Sequence, residues 1–229
     1  MTIRDREEAL FARWKSQRMY ASFVEDGVFD EAMWNRQSLH ITFVLKDPHW
    51  PGGTGKLRDS LLVHDPHPNH WRTWNNIARW TQALLDGGTY QERFSLEERR
   101  AQLRRVSCLN LKKVGGGPRV SDRIVRDFAR KDWSYIRDQL LLYTPDILVC
   151  CGPVVGRALS RDVFPRAGLP VRDWEEEDGW TCFYTRFPEK QRLTPVVCFR
   201  HPQGRACRAV WRTWFRQMRE ARALLLPSP

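Results

Sequence analysis

The sequence lacks the features that mark membrane, secreted and metal-binding proteins. No stretch of its 229 residues is long and apolar enough to cross a bilayer, and the N-terminal MTIRDREEALFARW does not resemble a signal peptide. The six cysteines include no C-x-x-C pair. Cys198 and His201 form one C-x-x-H spacing, but a zinc or iron–sulfur site needs a second pair. We therefore expect a cytoplasmic protein with reduced thiols, no bound metal and no other cofactor.

Internal repeats and low-complexity linkers are also absent. A length of 229 residues is enough for one sizeable core, so the simplest prediction is a single domain over residues 1–229. Within it we expect an N-terminal helical segment at 1–38 and an α/β core at 39–229. The expected state in solution is a monomer.

Acidic residues are in deficit, with 27 Asp and Glu against 38 Lys and Arg, giving a net charge of +11. The arginines are spread along the chain, which favours a basic face on a folded domain over a basic tail. DNA is the expected partner and a membrane is not, although solubility alone would also explain the charge. Eleven tryptophans are many for this length. Those near loops could stack on bases, and the others are expected in the core.

Apolar runs alternate with helical patterns along the chain. Strands are predicted at LHITFVLK, VSCLNLKKV, PDILVCCG, WTCFYTRF and TPVVCFRHP. This alternation predicts an α/β fold, a three-layer α/β/α sandwich with a mostly parallel central sheet. We expect WEEED, residues 174–178, to be a solvated loop. VGGGPRVS, residues 114–121, could bind phosphate through its amides or be a simple turn.

Chemically useful side chains follow four of these strands. In open α/β sheets the active site lies at the carboxyl ends of the strands. Those ends deliver Asp47, Asn110, Gly152 and His201. A carboxylate, an amide and an imidazole in one crevice resemble a catalytic set, although a D-P turn, a turn-forming asparagine and a hydrogen-bonded histidine would explain each one separately.

The segment GGTGK, residues 52–56, suggests a phosphate-binding loop but does not fit the P-loop pattern. In G-x-x-x-x-G-K-[ST], Trp50 takes the place of the first glycine and Leu57 follows the lysine. The loop is also not expected to lead directly from a strand into a helix. A nucleotide-binding P-loop is therefore rejected. HDPHPNH, residues 64–70, is expected to be a rigid surface loop because its prolines prevent a regular helix.

Taken in order, the strand-end motifs resemble those of the uracil-DNA glycosylase superfamily. LKDPHW resembles its first motif, CLNLKK its base-reading strand, PDILVCCGPVVGRAL its glycine turn and FRHPQG its H-P-S motif. The order of elements matches from Ile41 to Trp214. The resemblance implies the fold of that superfamily and an enzyme that hydrolyses N-glycosidic bonds in DNA.

The resemblance also implies roles for individual residues. Asp47 would stabilise the sugar cation and orient the attacking water, and His201 would donate a hydrogen bond to the departing base. Asn110 would read the edge of the flipped base. The rest of the base pocket would be formed by Lys46, His49 and Trp50, although Trp50 could equally be a core residue.

A further set is expected to contact DNA. Arg205 stands where the family places the residue that fills the gap left by a flipped base, and a phosphate contact is its simpler alternative. The remaining predicted DNA contacts are Gln203, Lys112, Lys113, Gly152 and His70. For the lysine pair at 112–113, the alternative is a solvated face.

Departures from the family pattern bear on the substrate. Lys46 replaces a glutamine, His49 stands where tyrosine often blocks thymine, and Gln203 replaces a serine. Such a pocket would suit a larger base, such as the glucosylated hydroxymethylcytosine of phage DNA, which bacterial antiviral members of this superfamily excise. We predict a monofunctional glycosylase, because no lysine occupies the position of Asp47. It would act on a duplex or a single strand. The alternatives are a uracil-excising repair glycosylase and a non-catalytic binder of modified or single-stranded DNA.

Overall fold

A seven-stranded sheet forms the centre of the computed structural model, which describes residues 1–48, 50, 53–64, 72–115, 120–177, 180–203 and 208–225. The strand order is β2-β5-β3-β6-β9-β8-β7. Two further strands, β1 and β4, pair with each other in parallel. The strands are β1 (Val24–Glu25), β2 (Gly27–Val28), β3 (Ile41–Leu45), β4 (Gly55–Lys56), β5 (Ser107–Asn110), β6 (Ile147–Cys151), β7 (Arg172–Glu177), β8 (Trp180–Thr185) and β9 (Thr194–Phe199).

The four central strands, β5, β3, β6 and β9, are parallel neighbours. Strands β2, β8 and β7 join them through antiparallel pairings. Every residue of the four central strands is buried. Burial on both faces explains why these segments are continuous apolar runs in the sequence and not alternating ones. The prediction of an α/β fold with a mostly parallel central sheet is confirmed.

Helices cover both faces of the sheet. One apolar cluster contains side chains of α3, α4, α5 and α9, and a second contains side chains of α1, α6, α7 and α8. None of the helices in the described ranges is long and apolar enough to cross a membrane. The helices are α1 (Ile3–Arg18), α2 (Glu31–Asn35), α3 (Leu57–Leu62), α4 (Arg72–Leu85), α5 (Leu96–Leu103), α6 (Asp122–Lys131), α7 (Trp133–Tyr143), α8 (Pro153–Ala158), which continues as a π-helix (Leu159–Val163), and α9 (Arg208–Leu225).

Three local predictions are corrected. Most of WEEED lies in β7, where Glu175 and Glu177 pair with Cys182 and Trp180 of β8. Charged residues suit such an edge strand because they discourage pairing with another chain. The segment 1–38 is not only helical, since β2 joins the main sheet beside β5. Strand β4 leads directly into α3 at residue 57, contrary to the prediction that this segment does not connect a strand to a helix. The P-loop is therefore rejected only because its sequence pattern does not match.

Gly156 is required where α8 packs against β9. A Cβ at this glycine would lie well inside van der Waals distance of Sγ of Cys198. We expect Gly156→Ala to lower the free energy of unfolding by about 1–3 kcal/mol, because both groups are buried and the backbone must shift. Urea denaturation would measure this. Gly88→Ala is the matched control, since its Cβ would meet no atom closer than 3.8 Å. Adding Cys198→Ala to Gly156→Ala should recover stability, because it removes the sulfur that the new methyl group meets. Equal stability of Gly156→Ala and wild type would contradict the prediction.

Candidate active site

The carboxyl ends of the four parallel strands meet at one edge of the sheet. Asp47 follows β3, Asn110 ends β5, Gly152 follows β6 and His201 follows β9. The predicted assembly of these four strand ends is therefore confirmed as a matter of topology.

Leu45, Cys108 and Phe199 lie in the apolar cluster on the side of α4 and α9. Side chains two positions apart in a strand fall on the same face, so Asn110 within β5 shares the face of Cys108. Asp47 and His201 come two residues after Leu45 and Phe199, just beyond the ends of β3 and β9.

Gly152 brings the ends of β6 and β9 together. Its φ is +115°, a conformation that glycine adopts easily. A Cβ there would lie 3.8 Å from carbons of both His201 and Lys46, so the two side chains are neighbours across the glycine. The Gly152 N–H donates to the carbonyl of Phe199 at 2.8 Å and is shared with that of Cys150. Its N–H is thus used inside the fold, and the contact of Gly152 with DNA stays a prediction.

His201 is neutral and its hydrogen is placed on a defined nitrogen. The backbone N–H of Gln203 donates to its Nδ1 at 3.2 Å. Burial lowers the pKa of His201 to about 4, and the positive charge of Lys46 adds to this. Because Nδ1 accepts this hydrogen bond, it carries no hydrogen, and the hydrogen of the neutral ring must lie on Nε2. Nε2 is therefore available to donate to a ligand at neutral pH.

Charge removal at Lys46 should raise the pKa of His201. We expect Lys46→Gln to move the titration midpoint upwards from about 4, because a nearby cation disfavours the imidazolium. The midpoint should stay below the ordinary value near 6.5 because burial, the larger cause, remains. NMR of the imidazole against pH measures the titration midpoint of His201 in wild type and in Lys46→Gln. Lys56→Gln, which removes an exposed lysine on β4, should leave it unmoved. An unchanged midpoint in Lys46→Gln would contradict this account.

Asp47 is mostly enclosed and faces a lysine. Its side chain is 13% exposed, and Nζ of Lys112 lies 3.8 Å from its Oδ2. Lys112 also donates to the carbonyl of Val114. Burial lowers the pKa of Lys112, and the Asp47 carboxylate opposes this effect. Lys112 is only 7% exposed, so the solvated-face alternative does not hold for it, and its contact with DNA stays a prediction.

Asn110 is held by Asp26, a residue that the sequence did not single out. Its backbone N–H and its Nδ2 both donate to Oδ2 of Asp26, at 2.6 and 3.0 Å. The residue is 1% exposed. The side-chain orientation is therefore fixed from inside the fold, and no open edge of Asn110 faces solvent.

Lys113 is fully buried on the same carboxylate. Its Nζ lies 2.6 and 2.7 Å from the two oxygens of Asp26 and donates to Oε1 of Gln139 at 2.9 Å. Its exposure is 0%. A buried lysine cannot reach a phosphate, so the prediction that Lys113 contacts DNA is wrong.

A buried carboxyl group lies next to this pair. Tyr143 donates to Oε1 of Glu7 at 2.7 Å, and so does the N–H of Val28 at 2.8 Å. Burial raises the pKa of Glu7 to about 7 despite these hydrogen bonds. Gln139 of α7 connects the two carboxyl groups, since its Nε2 donates to Oδ1 of Asp26 and to the hydroxyl of Tyr143, both at 2.8 Å.

Trp50 packs into the fold. Its indole covers Gly55 so closely that no Cβ would fit there, and it contacts the apolar cluster beside α4. The core alternative is therefore favoured over stacking on a base. Lys46 instead lies at the rim, 25% exposed, with Nζ 3.1 Å from Asp122.

Several predicted residues are not tested. His49, His70 and Arg205 lie outside the described residues. Gln203 is exposed, which agrees with a surface role, but its observed contribution is the backbone hydrogen bond to His201.

Sequence reasoning also missed Asn76, whose Nδ2 donates to the carbonyl of Pro202 at 2.7 Å. An asparagine among the apolar residues of α4 was the signal that could have found it.

Within the described part of the chain, no group of three or more His, Cys, Asp and Glu side chains could hold a metal. Comparison with protein-family models and with curated proteins gives no match for this chain.

Proposed function

We propose that this protein is a DNA N-glycosylase of the uracil-DNA glycosylase superfamily. It flips a modified base out of DNA and hydrolyses its N-glycosidic bond, leaving an abasic site. One observation carries the proposal. Asp47 and His201, a carboxylate and a neutral imidazole with its hydrogen on Nε2, follow two parallel strands of one sheet and lie at the same edge of it. The order of the four strand-end motifs in the sequence supports the family.

The two groups match the two charges that develop in glycosidic cleavage. The sugar gains positive charge as the bond lengthens, and Asp47 stabilises it and orients the attacking water. The base leaves as an anion, and Nε2 of His201 donates a hydrogen bond to its carbonyl oxygen. A neutral donor is sufficient because no proton has to be transferred to the base.

Lys112 is the cation beside Asp47. Its Nζ lies 3.8 Å from Oδ2 of Asp47, and opposite charges at this distance attract each other.

The substrate is a bulky modified cytosine. Lys46 lies at the rim between His201 and Asp122, where its ammonium can donate to hydroxyl groups of a sugar attached to the base. The net charge of +11 favours binding to the DNA backbone.

A substrate panel tests the function. Duplex and single-stranded oligonucleotides carrying uracil, hydroxymethylcytosine or glucosylated hydroxymethylcytosine are incubated with the protein and then cleaved with alkali at abasic sites. We expect breaks at the glucosylated base. Breaks at uracil alone would favour a repair enzyme. No breaks on any oligonucleotide, with equal binding by wild type and Asp47→Asn, would favour a non-catalytic binder.

A further inference from the structure

The loop that carries His201 is fastened to helix α4. Nδ2 of Asn76 donates to the carbonyl of Pro202 at 2.7 Å, and Asn76 is only 2% exposed. Pro202 directly follows His201 and precedes Gln203, whose N–H donates to Nδ1 of the imidazole. The buried hydrogen bond therefore holds the turn that places this N–H on the ring.

Arg79 fixes which way the amide of Asn76 points. Its Nη1 donates to Oδ1 of Asn76 at 2.9 Å. A guanidinium can only donate, so the oxygen must face Arg79 and the NH₂ group must face Pro202. The orientation of the donor is thus set by chemistry.

Arg79 is in turn tied to the segment after α4. Its Nε and Nη2 donate to the carbonyls of Gln91 and Glu92 at 2.9 and 2.6 Å. The guanidinium also lies over the ring of Tyr90, 5.6 Å from its centre. Burial lowers the pKa of Arg79, so the charge is kept at a cost in desolvation. Asn76 and Arg79 lie one helical turn apart, and together they form a rigid support.

Asn76 is a buried polar residue that has apolar neighbours along α4. Its neighbours Ile77 and Trp80 belong to the apolar cluster under the sheet. A leucine could pack there, but it could not hold the carbonyl of Pro202. The geometry points to a role for Asn76 as a positioning residue for His201, with Arg79 setting its amide. This inference rests on the proposed function for its effect on rate, but not for its effect on the imidazole.

The test substitutes Asn76 by aspartate. Aspartate keeps the shape and the acceptor for Arg79, but it loses the donor to Pro202. Freed from the helix, the turn should release the imidazole towards water, and the pKa of His201 should rise from about 4 by about one unit or more. Lys46, the charged group beside the ring, is unchanged. The new carboxylate would raise the pKa by its charge alone, so Asn76→Leu, which loses the donor and adds no charge, must raise it as well. NMR of the imidazole follows the titration.

The same variant should react more slowly without binding DNA more weakly. We expect kcat to fall by about 10- to 100-fold with KM unchanged, because a small displacement of a catalytic group is enough for such a loss. Asn75→Asp is the matched control. It makes the same substitution at the neighbouring position of α4, where the side chain accepts from Nη1 of Arg99 at 3.2 Å.

The outcomes separate this inference from the proposed function. A wild-type titration and kcat in Asn76→Asp, or equal changes in Asn75→Asp, would overturn the inference. A raised His201 midpoint in Asn76→Asp, with a wild type that cleaves no base, would uphold it while removing the proposed function. If Asn76→Asp is too unstable to study, Arg79→Lys replaces it. That variant frees the amide to rotate and should raise the midpoint in the same direction.

Discussion

Replacement of Asp47 by asparagine should lower the rate of base release by about a thousandfold or more. Asparagine fills the same space and can still position a water molecule. It carries no charge, however, and the sugar cation then has no partner in a site where Asp47 is only 13% exposed. Single preorganised groups of this kind contribute about 10²–10³-fold or more to catalysis. Single-turnover cleavage of the preferred oligonucleotide measures the loss.

Binding and folding should be unaffected by this change. The DNA dissociation constant of Asp47→Asn should match that of wild type, or be lower, since one negative charge has gone. Asp127→Asn is the control, because it makes the same substitution on α6 at an exposed carboxylate paired only with Arg130. An Asp47→Asn variant that cleaves within tenfold of wild type would show that the carboxylate is not catalytic.

Loss of the buried lysine should be the most destabilising single change among those considered. Lys113→Met leaves the Asp26 carboxylate without its cation at a position with 0% side-chain exposure. Breaking one partner of a buried pair costs about 3–5 kcal/mol, because the remaining charge is neither solvated nor paired. Urea denaturation should show this as a lower midpoint.

A control and a rescue sharpen the test. Lys56→Met removes an exposed lysine, 43% accessible, that pairs with Glu8 at 3.5 Å, and should cost about 1 kcal/mol or less. Adding Asp26→Asn to Lys113→Met removes the stranded charge and should recover part of the loss. Equal stability of the two methionine variants would show that the buried pair contributes little.

The centre of the fold was predictable because burial on both faces leaves a local mark. The run ILVCC is apolar throughout, and ITFVL is apolar except for Thr42, whose hydroxyl is paired with that of Ser107, as suits strands between two helical layers. Once four such strands are parallel, the position of the site follows. The sequence therefore predicted the edge at which Asp47 and His201 lie.

The environment of each side chain was not predictable in the same way. Lys113 looks like one half of an exposed basic pair, and only Asp26, 87 residues earlier, shows that it is buried. Asn110 is fixed by the same distant carboxylate. Local patterns contain no information on partners so far along the chain. The edge strand β7 was missed for a different reason: its charges are typical of a loop, although its partner β8 begins only three residues later.

The support behind Asp26 has a consequence for the way the chain is synthesised. Glu7 on α1 is completed by Tyr143, 136 residues later, and Asp26 by Lys113 and by Gln139, 113 residues later. The N-terminal 30 residues therefore have few of their final partners when they leave the ribosome. Until α7 has been made, Trp14 lacks the ring of Tyr135 that stacks on it. Contacts so distant in sequence slow folding, and we expect this early segment to be a site for chaperone binding during translation.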